Sequence, residues 1–204
     1  MHFVNESAPD ARDRRRLAAA AKATAFARQR TISDGLASFT VEDICEEAGF
    51  SRRTFFNYFA SKEDAVLGVL LTRGDEDLED AFVDGDGDVF DDLVTLAVAR
   101  WTRHGVSRDD AAAIGAAITA EPKLLGRMLA HIHDTEQATT ALIERREGYE
   151  AGDARAATAA LVFGTLMRLA MDETFAHPEG PAYADVLRAR VALARTLLSS
   201  GNHE

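Results

Sequence analysis

Apolar residues recur at helical intervals along most of the chain, and the pattern is sharpest from Thr40 to Lys62, TVEDICEEAGFSRRTFFNYFASK. Val41, Ile44, Cys45 and Ala48 fall at i, i+3, i+4 and i+7, the apolar stripe of one short helix. Thr40 ahead of it is a good N-cap, and Glu42 and Asp43 put negative charge in the first turn, where the helix dipole favours it. Gly49 supplies the sharp turn that follows, because glycine takes positive φ without steric cost. Phe50 is placed to plug the gap between helices, and Ser51 caps a second helix beginning SRRTFFNYF. Two short helices about a tight glycine turn form the helix-turn-helix pattern.

The second helix carries chemistry on its outer face. At about 100° per residue, Arg53 and Asn57 stack along one side, Arg52 and Phe56 stack beside them, and Phe55 faces the core. Arginine bonds guanine O6 and N7 as a bidentate pair, and asparagine does the same with adenine N6 and N7. Phe56 suits a thymine methyl, with Thr54 as a helper. Thr40, Ser51, Tyr58 and Lys62 sit at the edges, where phosphates would lie. Taken singly, adjacent arginines are a solvated face and an exposed asparagine is inert. Their spacing behind a glycine turn and a capped first helix is what turns the face into a candidate base reader.

This run strongly resembles the DNA-binding domain of TetR-type (tetracycline-repressor-like) transcriptional regulators. Their form is T-x-x-x-I-A-x-x-A-G-V-S-x-x-T-L-Y-x-Y-F-x-S-K-E-x-L. Cys45 stands here for the usual Ala, Phe50 for Val, and Phe55-Phe56 for Leu-Tyr, so the tyrosine hydroxyl often used on DNA is missing at 56. The resemblance covers about the first third of the chain. It implies a three-helix DNA-binding head, residues 1–62, and a helical ligand-binding and dimerisation body, residues 63–204.

Away from this stretch the pattern predicts more helices. ARDRRRLAAAAKATAFARQRTISDG favours a helix from Asp10 to Gly35, with Gly35-Leu36 as the turn into Thr40, and residues 1–10 are expected to be disordered. Arg12, Arg14, Arg15 and Arg16 at its start suit either a phosphate-binding or minor-groove arm or a solvated basic tail. Ser61, Glu63 and Asp64 open a helix expected to run to about Val83, which in the resemblance links head and body. Amphipathic segments follow at 88–104, 108–120, 122–147, 153–177 and 182–199, with Pro122 at an N1 position and breaks at 148–152 and 177–181. With four prolines and no alternating β-branched runs, the chain reads as all-α.

Charge sharpens the division. Residues 1–62 hold ten Lys/Arg against eight Asp/Glu, a net of +2, and residues 63–204 hold thirteen against twenty-six, a net of −13, restoring the total of −11. A head able to approach phosphates precedes a body they would repel. The lone Cys45 forms no intrachain disulfide and reads as a small core residue. With no signal peptide or long apolar run, a cytoplasmic, non-membrane protein is expected.

Little catalytic chemistry emerges. Counted from Asp84, a calcium loop would need Gly at Val89 and Glu at Thr95, so Asp84–Asp88 reads as a solvated turn. His131 and His133 point to different sides of a helix, a poor metal spacing. No metal, no cofactor and no enzyme activity are expected. Phe82, Phe90, Trp101, His104, Met128, Phe163, Met167, Met171 and Phe175 are candidate pocket residues, though each alone reads as core. In the resemblance the last two helices pair with their symmetry mates. Ala160, Gly164, Leu187, Val191, Ala194 and Leu198 are the candidate interface, against completion of a monomer core. The expectation is a homodimer that binds a palindromic DNA operator and represses, released by a small, largely apolar effector. The alternatives are an activator or partner-controlled regulator of the same fold, and an all-α binding protein or enzyme with a vestigial head.

Overall fold

Helical periodicity is realised throughout the computed structural model, which describes residues 11–69, 74–104, 106–177 and 179–199. The expectation of disorder for residues 1–10 lies outside them. Among the described residues there are ten α-helices and no strand. They are α1 (Ala11–Asp34), α2 (Val41–Ala48), α3 (Arg52–Tyr58), α4 (Lys62–Leu67), α5 (Glu76–Val83), α6 (Val89–His104), α7 (Arg108–Ala120), α8 (Lys123–Glu147), α9 (Ala154–Ala176) and α10 (Tyr183–Ser199). The protein is all-α, as the pattern predicted.

The chain forms two compact units, Met1–Arg73 with Asp109–His131, and Gly74–Arg108 with Ile132–Glu204. The first unit therefore extends past residue 62 and takes in most of α7 and the first part of α8. Its long α1 packs against α2 and α4. Ala20, Ala23 and Ala27 let α1 lie close over Ile44, Phe55, Phe59, Ala65 and Val66, with Ala117 of α7 and Leu124 of α8 completing the core. Phe55 and Phe59 have no exposed surface, which is worth about 1.5–3 kcal/mol for each side chain.

The expected helix from Ser61 to Val83 is corrected to two. Ser61 does cap α4, its side chain accepting from the Asp64 N–H at 3.0 Å. Gly68 then ends the helix at φ 76°, with bonds from Gly68 N–H to the Ala65 carbonyl (3.3 Å) and Val69 N–H to the Asp64 carbonyl (2.9 Å). That is a Schellman termination, which needs the left-handed conformation glycine supplies. Two cations hold α4. Arg127 of α8 donates to the Asp64 carboxylate from Nε (2.5 Å) and Nη2 (3.0 Å). Arg28 of α1 donates to the carbonyls of Val66 (2.8 Å) and Leu67 (3.2 Å) and to Asp110 of α7 (2.6 Å). A polar α1 residue thus turns out to be a buried tie.

In the second unit α9 and α10 pack along each other, α6 lies against both, and α5 lies against α6. Phe82, Leu93, Leu142, Ile143, Phe163 and Leu187 form its core. The Asp84–Asp88 turn is organised around an arginine. Arg146 donates to the carbonyls of Phe82 (2.5 Å) and Gly87 (3.0 Å) and pairs with Asp92. Asp88 caps α6, accepting from the N–H groups of Phe90 (2.9 Å) and Asp91 (3.2 Å), and pairs with Arg195 of α10.

Candidate nucleic-acid interface

The local sequence builds the interface as the pattern implied. Thr40 and Asp43 form a reciprocal capping box: the Thr40 hydroxyl accepts from Asp43 N–H (3.2 Å), and the Asp43 carboxylate accepts from Thr40 N–H (2.7 Å). Those bonds hold the Asp43 carboxyl below the usual carboxylate range, the backbone donor first and the hydroxyl second. Ile44 and Cys45 are buried and Val41 and Ala48 half-buried, which realises the stripe. Burial pushes the Cys45 thiol up, with the Glu42 charge adding to it, so a core thiol is what the site holds. Gly49 turns the chain at φ 75°. Phe50 then packs edge-on against Tyr58, ring centroids 5.5 Å apart, and wedges the turn.

Ser51 caps α3, accepting from Thr54 N–H at 3.2 Å and sharing a 2.9 Å bond with the Thr54 hydroxyl. Phe55 and Phe59 face inward, and Arg52, Arg53, Phe56 and Asn57 are exposed together on the outer face. Phe56 is 42% exposed, its ring open to solvent beside the two arginines. Arg53 and Asn57 make no hydrogen bond or ion pair with the described residues. Arg52 lies with its guanidinium carbon 5.5 Å from the Phe56 ring centre and pairs with Glu42 of α2.

The edge residues divide. Thr40 is exposed, and its hydroxyl also donates to Asp43 at 2.9 Å. Ser51 and Thr54 spend their hydroxyls on each other and on the cap. Lys62 donates to the carbonyls of Leu36 (2.7 Å) and Phe39 (2.8 Å) and sits 4.8 Å over the Phe39 ring. Two of its three donors hold the α1–α2 connection, so its first role is in the fold and not at the edge. Glu42 and Arg28 are functional or structural members that the linear pattern did not mark. Glu42 read only as a helix-dipole residue, and no spacing rule pairs positions across the turn. Arg15 is exposed near the start of α1.

The candidate pocket residues are only partly brought together. Phe82, Phe90, Trp101, Phe163, Met167 and Met171 share the second unit's core or pack on it. They fill it with one another: Phe90 packs on Phe163 (6.3 Å), and Trp101 on Phe175 (5.9 Å) and on Tyr183 (4.2 Å, stacked). His104 instead bonds the buried Asp75 carboxylate at 2.8 Å. Met128 packs in the first unit. A groove of about 400 Å³ lies elsewhere, along Glu173, His177, Glu179, Gly180 and Val186, and contains none of the nine. His133 bonds Gln137 at 2.9 Å, one turn along α8.

The candidate interface residues divide between buried and outward positions. Ala160, Leu187 and Val191 are buried in the unit's own core. Gly164 lies over Glu136, where an added Cβ would meet ordinary contacts at 3.7 Å. Of the six, Leu198 is the exposed one among large apolar residues, at 79%. Beside it the outward apolar positions are Leu161 and Leu169 of α9 and Leu193 and Leu197 of α10. By length and composition α9 is apolar enough to cross a membrane, yet only 22% of its apolar window is buried. It carries Arg155, Arg168, Asp172 and Glu173 and packs on α10 and α6, so it is an outward-facing helix of the fold.

A capped helix-turn-helix whose second helix leaves the Arg53 and Asn57 side chains exposed defines the class: the first unit carries a DNA-binding head. Residues 17–67 match the family of bacterial regulatory proteins, tetR family. No curated protein matches the chain. The head is therefore a DNA-binding domain of the TetR type, over the residues that match.

Proposed function

We propose that the protein is a homodimeric repressor that reads a palindromic operator and releases it when a small, largely apolar effector binds the body. The observation that carries the DNA-reading part is the outer face of α3, where Arg53 and Asn57 are exposed with their donors unspent beside Arg52 and Phe56. In this reading Arg52, Arg53 and Asn57 contact base edges, Phe56 contacts a thymine methyl, and Thr40, Ser51 and Tyr58 lie toward phosphates. The outward leucines of α9 and α10 support the dimer, since that much exposed apolar surface on two adjacent helices is costly without a cover. A dimer sets two α3 helices to read half-sites about 34–36 Å apart. The effector would bind the non-DNA state better, and the coupling is reciprocal: operator DNA weakens the effector as the effector weakens DNA.

Selection of sites from random duplex DNA at physiological salt tests this. A palindrome with half-sites about one helical turn apart is the expected product. Enrichment of no sequence would overturn the DNA-reading role, and a single unpaired half-site would overturn the dimer.

A further inference from the structure

Glu42 deepens that reading of the α3 face and rests on it. Its carboxylate is not needed for capping, because Asp43 completes the capping box of α2 by itself. It reaches instead across the turn to Arg52 Nη1, and both side chains stay open to solvent, 59% exposed for Glu42 and 64% for Arg52. An ion pair that exposed adds little to a fold, so stability does not explain a carboxylate on a face built for an anionic polymer. The pair does fix a geometry. Arg52 is held between Glu42 and the Phe56 ring, with its guanidinium carbon 5.5 Å from the ring centre. Only Nη1 is spent on Glu42. The Nε and Nη2 donors remain as a parallel pair, the arrangement that matches guanine O6 and N7.

We propose that Glu42 is a specificity-determining residue of the DNA-reading face, which positions Arg52 for one base and holds it off phosphate oxygens. A free arginine finds phosphates on every sequence, and a carboxylate beside it both competes for the guanidinium and repels the backbone. Removing that carboxylate therefore strengthens binding to all duplexes while loosening discrimination at one base pair.

The test compares the wild-type chain with Glu42→Gln, Glu42→Asp, Arg52→Ala and the double variant Glu42→Gln/Arg52→Ala. Each is titrated with the selected site, its single-base variants and a random duplex, across a range of salt. Glu42→Gln should bind the random duplex several-fold more tightly, steepen the salt slope by up to about one unit, and lower discrimination by roughly 3- to 10-fold at the base pair that Arg52→Ala relaxes. Glu42→Asp, which keeps the charge, should retain most of the discrimination, and Glu42→Gln should change little once Arg52 is absent. A Glu42→Gln variant whose specific-to-random ratio stays within about twofold of wild type overturns the proposal. So does relaxation at a base pair that Arg52 does not read. Failure of the DNA-reading role itself is distinct, because then the wild-type chain selects no site at all.

Discussion

Arg28→Met is the perturbation whose cost the structure sets most directly. The guanidinium is 9% exposed and donates to two carbonyls at the C-terminal end of α4 and to Asp110. Burial pulls its pKa down, with the Asp110 bond and charge pulling the other way, so the cation is held by what surrounds it. Methionine keeps much of the buried stem and removes the donors. The Val66 and Leu67 carbonyls are then left without that partner, at about 1–3 kcal/mol for each buried acceptor. The Asp110 pair, with its carboxylate 49% exposed, adds no more than about 1 kcal/mol. Recovered desolvation of the guanidinium offsets part of the loss, so a net destabilisation of about 2–4 kcal/mol is expected. For a chain of this length that is a drop in Tm of roughly 5–15 °C, read by circular dichroism at fixed protein concentration. Gly68 supplies an internal control, because a Cβ there would meet Arg28 Nη2 at 2.9 Å. Gly68→Ala should therefore cost less in the Arg28→Met background than in wild type, although the strain of positive φ persists in both. An Arg28→Met protein within about 0.5 kcal/mol of wild type would refute the reasoning, since surface substitutions routinely fall in that range.

Further expectations concern each part of the molecule. Arg53→Ala should weaken operator binding by about 1–3 kcal/mol and relax preference at one base pair, measured by competition against single-base variants; unchanged selection would remove its base-reading role. Leu193→Glu/Leu197→Glu alters side chains 50% and 68% exposed, so helix content should persist while dissociation of the proposed dimer rises roughly 100-fold or more by sedimentation. Persistence of the dimer would place the interface elsewhere. Burial raises the Tyr183 phenol to about 12, against about 10 in an unfolded chain. Below the unfolded value both states are protonated and the stability is fully present. As pH rises from about 10 towards 12 only the unfolded state ionises, so stability falls by about 2–3 kcal/mol. The single tryptophan, Trp101, stacks on this ring at 4.2 Å and reports the transition. Tyr183→Phe should flatten that alkaline loss, and an unchanged pH profile would contradict the assignment.

In the head, what was legible were the residues whose effect is local. Caps at Thr40, Ser51 and Ser61 act on N–H groups three residues away, and the Gly49 turn acts on its own backbone. The α3 face follows from angular spacing alone. Illegible were the ties between positions far apart in the chain, such as Arg28 with Asp110, Asp64 with Arg127 and Arg52 with Glu42. Lys62 shows the same limit. Its place at the edge of the face suggested phosphate, and its neighbours Leu36 and Phe39 take two of its donors. The end of α4 is also decided from outside. A glycine inside an apolar run reads as a tolerated helix residue, and here Arg28 of α1 occupies the space its side chain would need.

The body makes a different point about what periodicity contains. The segments expected at 88–104, 108–120, 122–147, 153–177 and 182–199 correspond closely to α6 through α10, because apolar spacing identifies a helix whatever it packs against. Spacing does not say which of two apolar stripes faces inward. On α10, Leu187 and Val191 form one stripe and Leu193 and Leu197 another, and both satisfy the helical rule. Packing against α6 and α9 buries the first pair, at 0% and 3% exposure, and leaves the second outside. A helix apolar on two sides needs two covers, and its own chain supplies one. The apolar surplus that suggested a dimer thus lies in the leucines the chain leaves uncovered, and a substitution at Val191 would test the core while one at Leu197 would test the proposed dimer face.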